Sequence, residues 1–522
     1  MNRTLVATVV VLALTTAAFA ELGSPARAAN DEGASPTIDV RPDSSPEPND
    51  ATDALGPEGA TTVGAATAEP SLWDDWNALL DKRVQQVLQR DDLWRNTLVP
   101  LKGMFLMNYK YKTVSTSQRF DANGHAGPTL KPVDVFGGKL DFGLTGTGRG
   151  HTFQFFYGIT DHITFLAEQP FGKLSPAFHV RYTPPDESSP TSTASLLDAI
   201  LPQLYPNDFT GSLQTLDGLW QAIELFGRPR PNIDEPLNDY QLGDFTFGLG
   251  TDYLRSQNLG LAAAIKVVAP TGHLANPNNS LIFALGPELD IGVGAWGLQA
   301  QQWVDWRFPA PFDFLSWTFD FGYQYFFPST RDSPTNFTPP VPFRITSQDK
   351  PVLAALFRSV LTPDHVEPNP GGGYAVHGTL IDVLDAVDPT IAAQLAPVFP
   401  DLSGLGKTYQ YTPGSQFSAE LQATYSLFGV GLAGGSNFSW AKSSDIHGNV
   451  PEFAEFVDAV QLVAESWHWS TWTKVSVPLF PLRIPAVAAA GIEFALEGRN
   501  AFIFEDNIEL TFGFISPWFF PD

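Results

Sequence analysis

Acidic side chains recur at alternate positions of segments that otherwise resemble apolar strands. In DFTFGLGTDYL (244–254), Asp244 and Asp252 lie on the face opposite Phe245, Phe247 and Leu249. If the apolar face meets lipid, the carboxylates face the lumen of a barrel, where they act electrostatically on a passing solute. The candidate lumen-facing, channel-lining residues are Asp141, Glu168, Asp244, Asp252, Lys266, Asp305, Asp320, Glu420, Glu493, Glu497 and Glu509.

The balance of these candidates is strongly acidic, since Lys139 and Lys266 are the cations noted on the same faces. A low-dielectric wall focuses such a field, so an open lumen is expected to prefer cations. The alternative is that arginines from loops or from a plug pair with the carboxylates and leave no net field.

Covalent catalysis finds little support in the residue types. The chain has no cysteine, which excludes disulfides and thiolate chemistry. The glycine-rich stretch 146–150 is interpreted as a hairpin turn, because it joins two strands and does not open a helix. The nine histidines lack zinc-ligand spacing, and no G-x-S-x-G elbow occurs. We expect no enzyme activity, catalytic residue, cofactor or metal; a Ser/His/Asp hydrolase built from distant residues is the open alternative.

Composition favours a wall of strands. Charged residues are 16% of the chain, against about 25% in an average soluble domain, whereas aromatics reach 13% and glycines number 44. The net charge of −26 argues against a nucleic-acid partner. A transmembrane β-barrel disperses its hydrophobicity over alternate positions in this way.

Regular alternation continues through much of the chain, as in WTFDFGYQY (317–325) and FSAELQATYSL (417–427). Segments of about ten residues suit a tilted strand crossing a bilayer, whereas soluble sandwiches use shorter strands with charged outer faces. Aromatic side chains close to strand ends are expected at the membrane interfaces: Trp296, Trp306, Trp317 and Tyr325. The predicted fold is all-β: a transmembrane antiparallel up-and-down β-barrel of about 12–16 strands, with an N-terminal amphipathic helix and helical insertions in long loops.

The connections fall into two classes. The tight ones are 158–161, 255–258, 293–295, 428–429 and 498–500, and the long ones lie near 183–238, 329–407 and 443–464. Short turns at one rim and long loops at the other are typical of outer-membrane barrels. If every tight turn lies at one rim, however, 329–407 falls on the wrong side; PFRITSQ (342–348) is therefore a candidate for a missing strand in the barrel, which spans 103–522.

The N-terminal hundred residues have a different character. Residues 1–20 resemble a signal peptide, with cleavage after Ala20 or as late as Ala29. Residues 30–70 form an acidic, proline-rich linker that is expected to be disordered. Residues 71–97 show the spacing of an amphipathic helix, which is expected to plug the barrel or to lie in the periplasm.

Two hairpins carry a family resemblance. YGITDHITFLAEQPF (157–171), and LGDFTFGLGTDYL with LGLAAAIKVVAPTGHLANP (242–277), resemble hairpins of Gram-negative outer-membrane channels of the phenol meta-cleavage-pathway-associated type. That family is loosely related to fatty-acid-transporter-like barrels. The resemblance implies location in the cell outer membrane, passive passage of a small hydrophobic compound, and outer-membrane lipid and assembly machinery as partners. A non-conducting barrel that acts through its long loops and N-terminal helix is the alternative.

Overall fold

The structure of the chain is a computed structural model. It describes residues 102–129, 132–135, 138–184, 193–230, 240–274, 276–278, 291–387, 389, 393, 402, 404–427, 430–453, 464–479 and 486–516. The predicted signal peptide, acidic linker and amphipathic helix lie outside these residues.

Twelve antiparallel strands form a closed barrel, in which the first strand pairs with both the second and the last. They are β1 Phe105–Phe120, β2 Gly138–Gly158, β3 Ile163–Thr183, β4 Phe245–Arg255, β5 Leu259–Ala269, β6 Gly297–Arg307, β7 Leu315–Phe326, β8 Gln416–Leu427, β9 Val430–Ala441, β10 Ser466–Pro478, β11 Ala486–Arg499 and β12 Asn507–Ser516. The predicted fold class is confirmed, at twelve strands.

The outer face of the wall is apolar. Ile265, Leu249 and Phe321 are 69%, 52% and 42% exposed on it. A contiguous apolar surface of this kind on a strand wall is the surface that a barrel presents to hydrocarbon. The alternation detected in the sequence therefore separates a lipid-facing side from an inward-facing side.

The two rims differ in their connections. β1 begins and β12 ends at the rim that also holds the turns 159–162 and 256–258. The predicted tight turns at 293–295 and 498–500 lie at the opposite rim, which carries the long loops. PFRITSQ also lies there, since its strand pairs with Tyr374–Gly378 outside the wall. Its assignment to the barrel is wrong. Because the connections at 293–295 and 498–500 lie at the long-loop rim, the long loop that begins at residue 329 also lies at that rim, and it no longer falls on the wrong side.

The long loops build a compact layer above this rim, here called the cap. Its helices are α1 Thr193–Leu204, α2 Leu216–Leu225, α3 Pro351–Val360 and α4 Leu380–Val387, with a 3-10 turn at Pro363–His365. One three-stranded sheet is formed by Phe343–Thr346, Tyr374–Gly378 and Val366–Pro368, and another by Ser329–Asp332, Thr408–Thr412 and Asp445–His447. Shorter rim strands are Ala126–Pro128, Val133–Val135, Gln241–Leu242 and Phe502–Phe504. No helix within the described ranges has the length and apolarity needed to cross a bilayer.

The cap has its own hydrophobic core. Leu201, Leu219, Phe357 and Val376 are at most 1% exposed and belong to one cluster. Thr215 caps the N-terminus of helix α2, where its hydroxyl accepts a hydrogen bond from the Gly218 N–H at 3.1 Å. The cap is therefore a packed unit and not a set of loose loops.

Candidate functional site

A cavity of about 750 Å³ lies inside the barrel and is lined by inward-facing residues from all twelve strands. Its polar and charged lining includes Asn108, Lys110, Lys112, Gln154, Glu168, Lys266, Gln301, Asp320, Glu420, Gln422, Asn437, Lys474, Glu493, Asn507 and Glu509. Successive strand residues point to opposite faces, which is why polar residues at every second position converge on this interior.

Two lysine–carboxylate ion pairs link strands on the inner face of the wall. Lys474 Nζ lies 2.7 Å from Glu509 Oε1, and Lys112 Nζ lies 3.2 Å from Glu493 Oε2. Glu493 also accepts hydrogen bonds of 2.6 Å from Ser470 and from Asn507. These carboxylates are compensated, so they act on a solute as dipoles more than as free charges.

A hydrogen-bonded relay occupies another part of the wall. Lys266 donates to Gln301 Oε1 at 2.7 Å, and the Gln301 amide donates to both oxygens of Asp320 at 3.0 and 2.8 Å. The Trp303 indole N–H also donates to Asp320, at 2.9 Å. The relay fixes the amide of Gln301 between a cation and an anion.

The side chains of Lys110 and Glu420 form no hydrogen bond or close ion pair with another residue that the structure describes, although their opposite charges attract across the cavity. Glu420 lies directly opposite Asp320 in the register of β7 and β8, so two carboxylates share one patch of wall. Lys110 and Glu420 are the lining charges best placed to meet a solute.

Six of the predicted channel-lining residues line the cavity: Glu168, Lys266, Asp320, Glu420, Glu493 and Glu509. Asp305 is 1% exposed and accepts a hydrogen bond of 2.7 Å from the Thr318 hydroxyl. It shares the inward parity of Gln301 and Trp303 but lies closer to the short-turn rim, and it is not among the residues that line the cavity.

Asp244 and Asp252 each stabilise the connections at one rim of the barrel, Asp244 at the long-loop rim and Asp252 at the short-turn rim. Asp244 accepts hydrogen bonds from the backbone N–H groups of Gly272 at 2.8 Å and Val293 at 2.5 Å. The side chain of Asp252 is fully buried, bonded to His162 Nδ1 at 2.9 Å and to Arg255 Nε at 2.8 Å. Neither residue lines the cavity, so their expected channel-lining role is replaced by a structural one.

Asp141 and Glu497 face outward, which corrects the expectation that they face the lumen. Asp141 lies next to Leu140, which points inward into the cap core and is 3% exposed. Glu497 pairs with Trp469, which is 45% exposed on the outer face, because a bulge shifts the register just before it. Lys139 shares the parity of Asp141 and also faces outward.

Three lining lysines were missed: Lys110, Lys112 and Lys474. The signal was present, because MNYKYKT alternates lysine with tyrosine as a strand with one polar face does. With Lys266, four lysines face five carboxylates across the cavity. The expected cation preference stays a prediction, with a weaker basis than the acidic residues alone provided.

The predicted interfacial aromatics lie at the two ends of their strands. Trp296 and Tyr325 are 53% and 44% exposed at the long-loop rim. Trp306 is 41% exposed at the short-turn rim, where its ring meets Trp317 with centroids 6.1 Å apart. Such positions are those of amphipathic rings at a membrane–water boundary.

A serine and a histidine meet inside the barrel, where Ser439 Oγ lies 2.5 Å from His468 Nδ1. No described carboxylate is hydrogen-bonded to the other ring nitrogen, so this pair lacks the third member that orients a catalytic histidine. Within the same described ranges, no three His, Asp or Glu side chains form a metal-binding group.

Comparisons with known proteins give distant likenesses. No family model and no curated protein matches the chain. Among solved structures, an outer-membrane channel from Pseudomonas putida F1 is 11% identical with a TM-score of 0.41, covering 80% of this chain and 97% of that one. The TodX deltaS2S3 mutant and CymD, both named monoaromatic hydrocarbon channels, are 9% and 10% identical with TM-scores of 0.28 and 0.26. They cover 80% and 83% of this chain, and 91% and 92% of their own. With all scores below 0.5, the fold assignment rests on the strand pairing of this chain.

Proposed function

We propose that this chain is an outer-membrane barrel through which a small compound crosses passively. The observation that carries the proposal is the cavity of about 750 Å³ to which every strand of the wall contributes inward side chains. The predicted signal peptide, the apolar outer face and the short-turn rim that holds the start of β1 and the end of β12 are consistent with the outer membrane.

The proposed cargo is small and mainly apolar, but carries a polar or charged group. Phe156, Trp303 and Trp472 supply flat apolar surfaces inside the cavity. Between them lie charged side chains, of which those of Lys110 and Glu420 form no hydrogen bond or close ion pair with another described residue. A pure hydrocarbon would offer those groups no hydrogen bond, so an aromatic acid or phenol suits the wall better.

Two adjacent alanines of β11 provide a matched test. Ala489 lines the cavity, whereas Ala490 has the opposite parity and lies on the outer face. In proteoliposomes, Ala489→Trp is expected to reduce benzoate and phenol uptake several-fold by filling the cavity, while Ala490→Trp leaves uptake unchanged. Equal uptake by both variants and the unmodified protein would show that solute does not pass through this cavity.

The second candidate is a non-conducting barrel that acts through the cap. The observation in its favour is the extensive buried core of the cap, which helices α1–α4 and Leu140 of β2 build together. Absence of benzoate, phenol and toluene flux in the unmodified protein, with the barrel shown to be folded, would favour this candidate.

A further inference from the structure

The hairpin of β2 and β3 is taller than the rest of the wall. Each of its strands has 21 residues, whereas β4, β5 and β6 have 11. The hairpin therefore continues well beyond the neighbouring strands at the long-loop rim and supports the cap. Its outer face crosses from the lipid-facing zone into the zone above it.

The apolar side chains of this hairpin change from the outer face to the inner face part-way along β2. In the lower half, Phe153 and Phe155 point outward and Gln154 points into the cavity. In the upper half, Leu140 and Leu144 point inward and are 3% and 4% exposed. Pairing with β3 continues through all these residues without a bulge, so the backbone keeps its parity while the surroundings change.

The height of this exchange follows from strand geometry. Ile163, 39% exposed at the lower end of β3, and Lys173 share the outer face and lie ten residues apart. Ten residues extend about 33 Å along a strand, and a tilt near 40° reduces this to about 25 Å of height. The apolar band of an outer-membrane barrel is about 25 Å tall, so Lys173 lies at the level of the outer-leaflet headgroups.

Two cations meet at that level on the outer face. Arg149 and Lys173 lie directly opposite each other in the register, and like charges in that arrangement repel. Neither forms an ion pair or hydrogen bond with another described residue, and β1 places the neutral Thr113 beside Arg149. The carboxylate of Asp506, on that side, accepts a hydrogen bond from the Ser115 hydroxyl at 3.0 Å. In a chain of net charge −26, this pair lacks a described counter-ion.

A platform of rings lies just below the two cations. The His151 ring stacks on Phe171 with centroids 4.6 Å apart and planes at 4°. The Tyr109 hydroxyl lies 2.7 Å from His151 Nδ1, and the Tyr240 hydroxyl lies 3.3 Å from Nε2. Amphipathic rings under a cationic pair match the boundary between acyl chains and headgroups.

We propose that Arg149 and Lys173 bind a phosphate group of a phosphorylated glycolipid in the outer leaflet, with its acyl chains against the His151 and Phe171 rings. This rests on the outer-membrane location given under the proposed function. Guanidinium and ammonium groups are suited to phosphate, and the anion relieves the repulsion between the two cations. Above Arg149 the outer face continues to Lys139, about 33 Å along the strand and about 25 Å in height, which suits a saccharide layer better than a phospholipid headgroup.

The test compares lipid A with its dephosphorylated form on the full-length protein in detergent, using native mass spectrometry. The unmodified protein is expected to retain lipid A at least about tenfold better, and the double variant Arg149→Gln/Lys173→Gln to lose that preference. The matched control is Lys407→Gln/Lys442→Gln, which removes two exposed lysines of the long-loop rim and should keep it. Lipid A should also raise the unfolding temperature of the unmodified protein and of the control, but not that of the Arg149/Lys173 variant.

Two results would overturn the proposal: an unchanged preference in the Arg149/Lys173 variant, or displacement of lipid A by millimolar inorganic phosphate, which would indicate a site for free anions. A heat-modifiability gel shows that each variant is folded. The lipid site lies on the outer face, so the two proposals fail separately. An unchanged lipid preference in the Arg149/Lys173 variant, with normal uptake by the unmodified protein, would refute the lipid site alone. Absent uptake by the unmodified protein, with the expected lipid preference, would refute the channel alone.

Discussion

Truncation of Phe357 tests whether the cap is a folding unit separate from the barrel. Phe357 lies on α3, is 1% exposed, and packs on Phe343 with ring centroids 5.7 Å apart. Its neighbour Leu356 points away from the core and is 49% exposed. The pair Phe357→Ala and Leu356→Ala therefore compares a buried and an exposed truncation one residue apart.

Removal of a fully buried phenylalanine side chain costs about 3–5 kcal/mol, whereas an exposed truncation usually changes stability by about 0.5 kcal/mol. Proteolysis of a locally opened unit follows its open population, so Phe357→Ala should accelerate cleavage in the cap by about 10²- to 5 × 10³-fold. A time course of protease digestion in detergent measures this rate. The strands of the barrel should remain intact and heat-modifiable throughout.

Two outcomes would refute the reasoning. Equal cleavage rates for the two variants would mean that the cluster around Phe357 does not stabilise the cap. Loss of the heat-modifiable barrel in step with cleavage of the cap would mean that the cap and the wall unfold as one unit. Phe357→Leu keeps most of the buried volume and should remain close to the unmodified protein.

Two further predictions concern single groups. Asp252→Asn should lower the free energy of unfolding by about 1–3 kcal/mol, because the buried carboxylate that binds His162 and Arg255 loses its charge; urea titration should show no comparable loss for Asp161→Asn, and an equal loss would contradict it. Burial raises the pKa of Tyr205, so its contribution to cap stability is complete below pH about 10 and is lost as pH rises further. Protease susceptibility of the cap should therefore rise more steeply at alkaline pH in the unmodified protein than in Tyr205→Phe, and identical profiles would exclude this effect.

Alternation identifies a face only where the pairing is regular. In β7, WTFDFGYQY continues without a bulge, and Asp320 points inward opposite the outward Phe321. The period of two was sufficient there, because each residue keeps its parity along the whole strand.

Alternation assigns the wrong face to residues that lie beyond a β-bulge. Glu493 and Glu497 have equal parity in β11, and the sequence assigns both to the lumen. The register shift beside Ser470 inserts one residue between them, so Glu493 lines the cavity and Glu497 turns outward. A single inserted residue reverses the face of everything beyond it, and nothing in the residue types at this site announces it.

The composition of a strand face also does not reveal what covers it. Leu140 and Phe155 belong to equally apolar stretches of β2, yet Leu140 packs in the cap core whereas Phe155 lies on the outer wall. Protein and hydrocarbon select the same side chains, so alternation alone assigned the stretch around Leu140 to lipid and placed Asp141 in the lumen. The distinguishing signal is the parity: the apolar residues are even-numbered near Leu140 and odd-numbered near Phe155. Since pairing is continuous between them, the change of parity marks a change of surroundings, and Arg149 lies where it occurs.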